Sequence, residues 1–150
     1  MATIHAAAVL VGARAVLIRG PSGAGKSQLA LELIAAAQAG QLRFARLVGD
    51  DRVHLQSAGG RLLVRPAPAL AGLIELRGVG IVRRDYEPCA VVGLVVDLAA
   101  ADAERLPQRQ TVELEGVNLP RLAVAAGNAA LPAVLALLAS GGAGADPRAA

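Results

Sequence analysis

Aromatic side chains are nearly absent from this sequence: Phe44 and Tyr86 are the only two in 150 residues, and tryptophan is missing. That scarcity excludes functions built on ring faces, such as stacking on single-stranded nucleic acid or caging a methylated ammonium group. Cysteine is scarcer still. Cys89 stands alone, so the chain forms no internal disulfide and no cysteine cluster for a metal, and the residue reads as a small apolar filler. Lysine is also limited to one residue, Lys26; the other fourteen basic residues are arginines. They are scattered, with Arg83 and Arg84 the only adjacent pair, and the net charge is +3. A surface that tracks phosphodiesters needs a clustered basic patch, so this charge does not point to nucleic acid. A membrane-spanning run is missing too. Residues 122–145 carry no charge, but Gly127, Asn128 and Pro132 interrupt them, and alanine contributes little transfer energy. They read as a buried strand, a turn and a short packed helix. The apolar N-terminal stretch lacks the basic flank of a signal peptide, so the chain is expected to be soluble and cytoplasmic.

What is present is aliphatic. Hydrophobic residues make up 55% of the chain, accompanied by 17 glycines and eight prolines, which implies an aliphatic core and many tight connections. The length suits one domain, expected over residues 1–139, followed by a Gly/Ala-rich tail at 140–150 that should fray. Residues 3–11 and 14–19 read as paired strands around Gly12-Ala13. Leu29, Leu33, Ala30 and Ile34 fall at helical spacing within 26–37, with Gly40 as the stop. A strand at 44–49 follows, then a hairpin of 53–55 and 61–65 turning over 57–60, and a proline-containing connection at 66–72. Short extended segments at 73–76 and 78–82 precede a central strand at 90–98. A helical turn at 102–105, strands at 111–114 and 122–124, and a helix at 131–139 with Pro132 in its first turn complete an α/β pattern richer in strands than helices.

Gly20-Pro21-Ser22-Gly23-Ala24-Gly25-Lys26-Ser27 is a complete G-x-x-x-x-G-K-S, or Walker A, sequence. Its glycines let successive backbone N–H groups converge on phosphate oxygens, and the following helix adds the positive end of its dipole. Lys26 reaches the β- and γ-phosphates in such a loop, and Ser27 places its hydroxyl on Mg²⁺. A strand precedes the motif, an amphipathic helix follows it, and the chain's one lysine sits at the motif's lysine position. Nucleotide phosphate binding follows.

Asp50 and Asp51 end an apolar strand some two dozen residues later. A Walker B carboxylate ends a strand beside the phosphate-loop strand and holds hydrated Mg²⁺; a second carboxylate next to it can accept a proton from an attacking hydroxyl. Neighbouring side chains on an extended chain point apart, so the two aspartates are expected to divide these roles. The bland alternative is a strand-ending turn, where aspartate is common. Glu75 lies in an apolar stretch, where an unpaired carboxylate is costly. A metal or an arginine would resolve that cost, and a pair with Arg77 is the mundane solution. His5, within an apolar strand, reads by default as a core or edge histidine, and His54 as a hairpin surface residue.

Four blocks resemble HPr kinase/phosphorylase in order and spacing: Ile4-His5, GPSGAGKSQLALELI, LVGDDRV and LIELRGVGI. The last is the most specific, and a weaker similarity runs through VVGLVVDL, ERLP and EGVNLPRLAV, covering most of residues 3–138. The resemblance implies a P-loop nucleotide-binding fold of the HPr kinase C-terminal-domain type, akin to PEP carboxykinase. It implies an ATP- and Mg²⁺-dependent kinase that phosphorylates a serine of the phosphocarrier HPr, and a short form of the family. Position by position, Lys26 and Ser27 match the ATP and Mg²⁺ residues, and Asp51 the catalytic acid/base with Asp50 its Walker-B-like neighbour. Glu75 matches a Mg²⁺-associated carboxylate, His5 an active-site histidine, and Arg105 a catalytic arginine. The chain departs from the family at Arg83-Arg84-Asp85-Tyr86-Glu87 and at Ala125-Ala126-Gly127-Asn128. Those departures weaken the expectation of phosphorylase activity and of a hexamer. The competing readings are a P-loop kinase for a small molecule and a nucleotide-sensing module without phosphoryl transfer.

Overall fold

The apolar residues between Ala6 and Ile18 scarcely alternate with polar ones, and strands of that composition need cover on both faces. The computed structural model describes residues 2–103 and 110–139, and it supplies that cover. The strand expected over 3–11 divides at His5 into β1 (Ala2–Ile4) and β2 (Ala7–Val11), and β3 (Arg14–Arg19) follows. Next come α1 (Lys26–Gln38), β4 (Ala45–Gly49), β5 (Val53–Ala58) and β6 (Arg61–Pro66). A 3₁₀ turn at Pro68–Leu70 leads to β7 (Leu73–Leu76) and β8 (Gly80–Arg83), a separate two-stranded sheet. The chain continues through β9 (Ala90–Asp97), β10 (Gln110–Leu114), β11 (Val117–Ala123) and α2 (Leu131–Ala139). The expected turn at 102–105 is described only to Ala103; Arg105 and the tail at 140–150 lie outside the described residues. Among the described residues no helix is long and apolar enough to cross a membrane.

The main sheet runs β1-β5-β6-β9-β3-β2-β4, and β11, with its antiparallel partner β10, joins it through β9. As expected, β9 is central. It pairs parallel with β3 and β11 and antiparallel with β6. The sheet also curls. Strands from opposite halves of its path, β1 with β2 and β4 with β5, are joined by only a few residues at one corner. There β4 meets the end of β6, and a Cβ on Gly49 would lie 2.8 Å from Val53 Cγ1 and 3.1 Å from Pro66 Cα, so only glycine permits the approach.

Curling produces two cores. Ala8, Ala15, Leu17, Val48, Leu55, Leu62 and Val64 fill the inner one. Val9, Val16 and Ile18 face the other way, onto Leu29 and Leu33 of α1 and Val134 of α2. On β9 the alternation slips at Gly93: Val92 and Val95 point inward, Leu94 and Val96 toward the helices. The slip coincides with a register shift against β3, where a Cβ on Gly93 would stand 2.7 Å from Arg14 Cβ.

The three parallel strands finish in an ion-pair network. Arg19 donates Nε and Nη2 to the two Asp97 carboxylate oxygens at 2.7 Å each, and Arg121 Nε donates at 2.5 Å. The rest of the Arg121 guanidinium grips Asp102 at 2.8 and 3.0 Å and the Gln110 side-chain oxygen at 2.8 Å. Burial pushes the Asp97 carboxyl up, but the Arg19 and Arg121 bonds and charges outweigh it and hold it below the ordinary carboxylate range.

Two stability results follow. Leu17→Ala, at a fully buried inner-core position, should lower the unfolding free energy by about 2–5 kcal/mol in urea titration. Because the folded-state pKa of Asp97 is depressed, its contribution is complete above the ordinary carboxylate pKa of about 4 and lost as pH falls through the folded value. Asp97→Asn should therefore lower Tm at neutral pH and reduce the acid-side fall in Tm measured by calorimetry.

Candidate active site

Where β3 stops, the chain turns into the loop of residues 20–25 and then α1. A Cβ on Gly20 would lie 3.1 Å from the Leu98 carbonyl oxygen, so the loop leaves β3 pressed against the end of β9. Gly23 and Gly25 adopt φ 82 and 99, a region other residues rarely visit. Helix α1 begins without a side-chain cap and without an acidic residue in its first turn. Its free N–H groups and dipole are therefore available to an anion. At its other end Gln41 and Gly40 N–H bond the Ala36 and Ala37 carbonyls, closing the helix where Gly40 was expected to stop it.

Lys26 arches back over the loop and donates Nζ to the Gly20 and Pro21 carbonyl oxygens at 2.7 and 3.1 Å. The Ser27 hydroxyl faces both Asp50 carboxylate oxygens at 2.8 and 2.9 Å, donating its one proton to the pair. Asp50 is buried, with 4% of its surface exposed. Burial pushes its carboxyl above the ordinary carboxylate range, against the Ser27 hydroxyl and the Glu75 and Asp51 N–H groups, which pull it down. Among the described residues it is in no ion pair.

The strand carrying Asp50 is not the expected neighbour of β3. Antiparallel β2 lies between them, so β4 runs parallel to β3 one strand away. The carboxylate that does end the adjacent parallel strand is Asp97, and two arginines already hold it.

Asp51 is exposed and adopts φ 67, while the Arg52 N–H bonds the Asp50 carbonyl across it at 2.7 Å. This tight three-residue turn, not the alternation of an extended strand, separates the two carboxylates. Backbone strain at a non-glycine residue is a mark of functional positions.

His5 occupies the exposed bend between β1 and β2, not the interior of a strand. Since Ile4 pairs with Val53 and Ala8 with Gly49, the bend lies opposite the corner that carries Asp50 and Asp51. Glu75 is exposed and meets Asp50 through its own N–H at 3.3 Å. No ion pair joins it to Arg77 among the described residues. Arg77 instead reaches the loop, its Nη2 3.6 Å from the position a Cβ would take on Gly23. His54 accepts or donates a 2.9 Å bond with Thr3 on the β1–β5 surface, away from this chemistry. Arg105 lies outside the described residues.

Beside the loop is a cleft of about 290 Å³, walled by residues 21–24, by Leu98 and Ala99, and by residues 124–128. Among the described residues no charged side chain lines it. Arg83 and Arg84 belong to a different groove, of about 600 Å³, with Arg46 and Tyr86.

Sequence reasoning passed over Arg77 as a loop-facing cation and Asp97 altogether. The only signal for Asp97 was an aspartate ending the most apolar strand. Among the described residues no three His, Cys, Asp or Glu side chains converge on one metal position. The oxygen donors that do meet are the Ser27 hydroxyl and the Asp50 carboxylate, a pair suited to a hard cation that also binds phosphate and water.

Comparison with known proteins gives a consistent result. The model of the HPr Serine kinase C-terminal domain matches residues 1–135. HPr kinase/phosphorylase of Streptococcus thermophilus is 36% identical over 135 residues, spanning 81% of this chain and 41% of that protein. The Geobacillus thermodenitrificans protein of the same name is 35% identical over 134 residues, with the same coverage. The chain thus spans about two fifths of the length of these relatives. The solved Hpr(Ser) kinase/phosphatase from Coxiella burnetii superimposes with a TM-score of 0.75 at 24% identity, covering 93% of this chain and 95% of that one. The glycine-rich loop, the aspartate corner and the curled strand-rich α/β fold therefore belong to a member of the HPr serine kinase C-terminal domain family.

Proposed function

We propose that this chain is the catalytic domain of a protein-serine kinase that transfers the γ-phosphoryl group of ATP, with Mg²⁺, to a serine of an HPr-type phosphocarrier protein. The observation that carries the reading is the Ser27–Asp50 contact at the uncapped start of α1, with strained Asp51 exposed beside it. A buried carboxylate that has no ion-pair partner among the described residues and is bonded to a hydroxyl fits Mg²⁺ bound through few protein oxygens. Ser27 and Asp50 would hold it, with Glu75 supporting from β7 of the small sheet. Held there, the ion would supply positive charge against the phosphates of the nucleotide.

The residues of the chain divide the remaining work. Backbone N–H groups of the loop and the first turn of α1 hold the phosphates. Lys26 exchanges its two carbonyl bonds for phosphate oxygens and neutralises charge on the transferred group. Arg77 adds a second cation at Gly23, and Arg105 is assigned the same kind of role by its match to the family arginine. Asp51 takes the proton of the substrate serine as its oxygen bonds to the γ-phosphorus and the bond to the leaving ADP oxygen breaks. His5, across from the aspartate corner, supports that carboxylate. The cleft beside the loop receives the nucleoside. A phosphocarrier substrate goes with a cytoplasmic location, and assembly with further copies of the chain is compatible with the family. The departures at residues 83–87 and 125–128 lead us to propose the kinase direction alone.

The test is incubation with labelled ATP and a phosphocarrier protein, beside the same protein with its target serine changed to alanine. Label should enter only the unsubstituted phosphocarrier; ATP binding without protein labelling would favour a nucleotide-sensing module, and labelling of a small molecule a metabolite kinase. Lys26→Ala should abolish transfer, and a fully active variant overturns the assignment. Asp51→Asn should lower the transfer rate by about 10²–10⁴-fold while ATP binding, read by calorimetry, persists.

A further inference from the structure

Three walls enclose the cleft beside the glycine-rich loop, and each springs from one member of the buried ion-pair network. Arg19 is the last residue of β3, and the loop begins at the next residue. Asp97 is the last residue of β9, and Leu98 and Ala99 follow it. Arg121 stands near the end of β11, three residues before the wall that begins at Val124. The parallel register sets Arg19 directly opposite Asp97, while Arg121 starts two residues lower, opposite Val95, and its guanidinium reaches up to the Asp97 carboxylate.

We propose that Asp97 is a positioning residue for nucleotide binding: gripped by Arg19 and Arg121, its carboxylate sets the separation between the glycine-rich loop and the two walls that face it. The inference rests on the nucleotide reading of the loop and extends it to residues that touch no substrate.

Several contacts above the network depend on that separation. The Leu98 N–H bonds the Arg19 carbonyl at 2.8 Å, and the Val124 N–H bonds the Asp97 carbonyl at 2.8 Å. The Ala100 N–H reaches back to the Val124 carbonyl at 3.0 Å. Between them Ala99 is held at φ 50, a conformation a non-glycine residue keeps only where its surroundings impose it. The loop itself has little clearance, since a Cβ on Gly20 would stand 3.1 Å from the Leu98 carbonyl oxygen and 3.2 Å from its Cβ.

A metal-binding role for Asp97 fits less well. Three N–H bonds from two arginines occupy its oxygens, whereas Asp50 carries the contact to Ser27. Arg121 bonds both Asp102 and Gln110, so the network also joins the residues after β9 to the start of β10.

The experiment compares binding of two probes, Mg·ATP and Mg·pyrophosphate, to the full chain and to Asp97→Asn by calorimetry, with Tm read separately. Pyrophosphate occupies the loop alone, while ATP spans loop and cleft. Asp97→Asn should weaken ATP binding about tenfold and pyrophosphate binding by about twofold or less. Arg19→Lys, which keeps the charge but not the two-pronged grip, should give the same order of preference if Asp97→Asn does not fold. Asp102→Asn, which removes only the exposed arm of the network, should leave both affinities unchanged. A fall in Tm with unchanged affinities overturns the proposal, because the network is then merely structural. Equal loss for both probes also overturns it, by placing the damage in the loop. Failure of the unsubstituted chain to bind either probe removes the nucleotide reading itself, and this proposal with it.

Discussion

Three parallel strands stopping at one level constrain everything functional in this protein. Where β3, β9 and β11 end, the chain must leave the sheet three times within a small area, and those departures become the loop and the walls of the cleft. In open α/β sheets ligands bind outside the carboxyl ends of the strands, because loops and helix N-termini gather there. Here β9 carries the arrangement: it touches both other parallel strands and supplies Asp97, the carboxylate between two arginines. Parallel ladders are slightly less stable per residue than antiparallel ones, and burial on both faces offsets that in β3 and β9.

The two aspartates that end strands near the loop show how environment assigns different work to one side chain. Asp97 is buried among arginines, and its carboxyl is held low. Asp50 is buried with a hydroxyl and backbone N–H groups as partners, and its carboxyl is raised. The first is electrostatically satisfied. The second is in no ion pair among the described residues.

Much of the fold was legible locally. Helix α2 falls at Leu131–Ala139 as its apolar pattern and Pro132 indicate, and α1 closes at Gly40. The hairpin of β5 and β6 turns at Gly59-Gly60, both at positive φ as a two-residue connection demands. Other features were invisible because they depend on pairing between distant segments. The division of the first strand at His5 reflects the sheet curling, which sends β1 to β5 and β2 to β3 and β4. The interposition of β2 between β3 and β4 has the same origin, and no local pattern distinguishes it from the adjacent arrangement. The slip at Gly93 hid which face of β9 each valine takes.

The site divides along the same line. By itself the sequence determined the glycine-rich loop, since its glycines, its lysine and the start of the following helix fall within eight consecutive residues and act through local torsion angles and backbone N–H groups. It also determined that two carboxylates would stand together at Asp50 and Asp51. Only the tertiary structure decided that Asp50 meets Ser27, that a tight turn exposes Asp51, that Arg77 and not Glu75 leans on the loop, and that Asp97 is claimed by Arg19 and Arg121. The reason is physical: a carboxylate's chemistry depends on the charges, donors and water that folding leaves within bonding distance, and for these residues the partners lie two dozen to seventy-eight positions away.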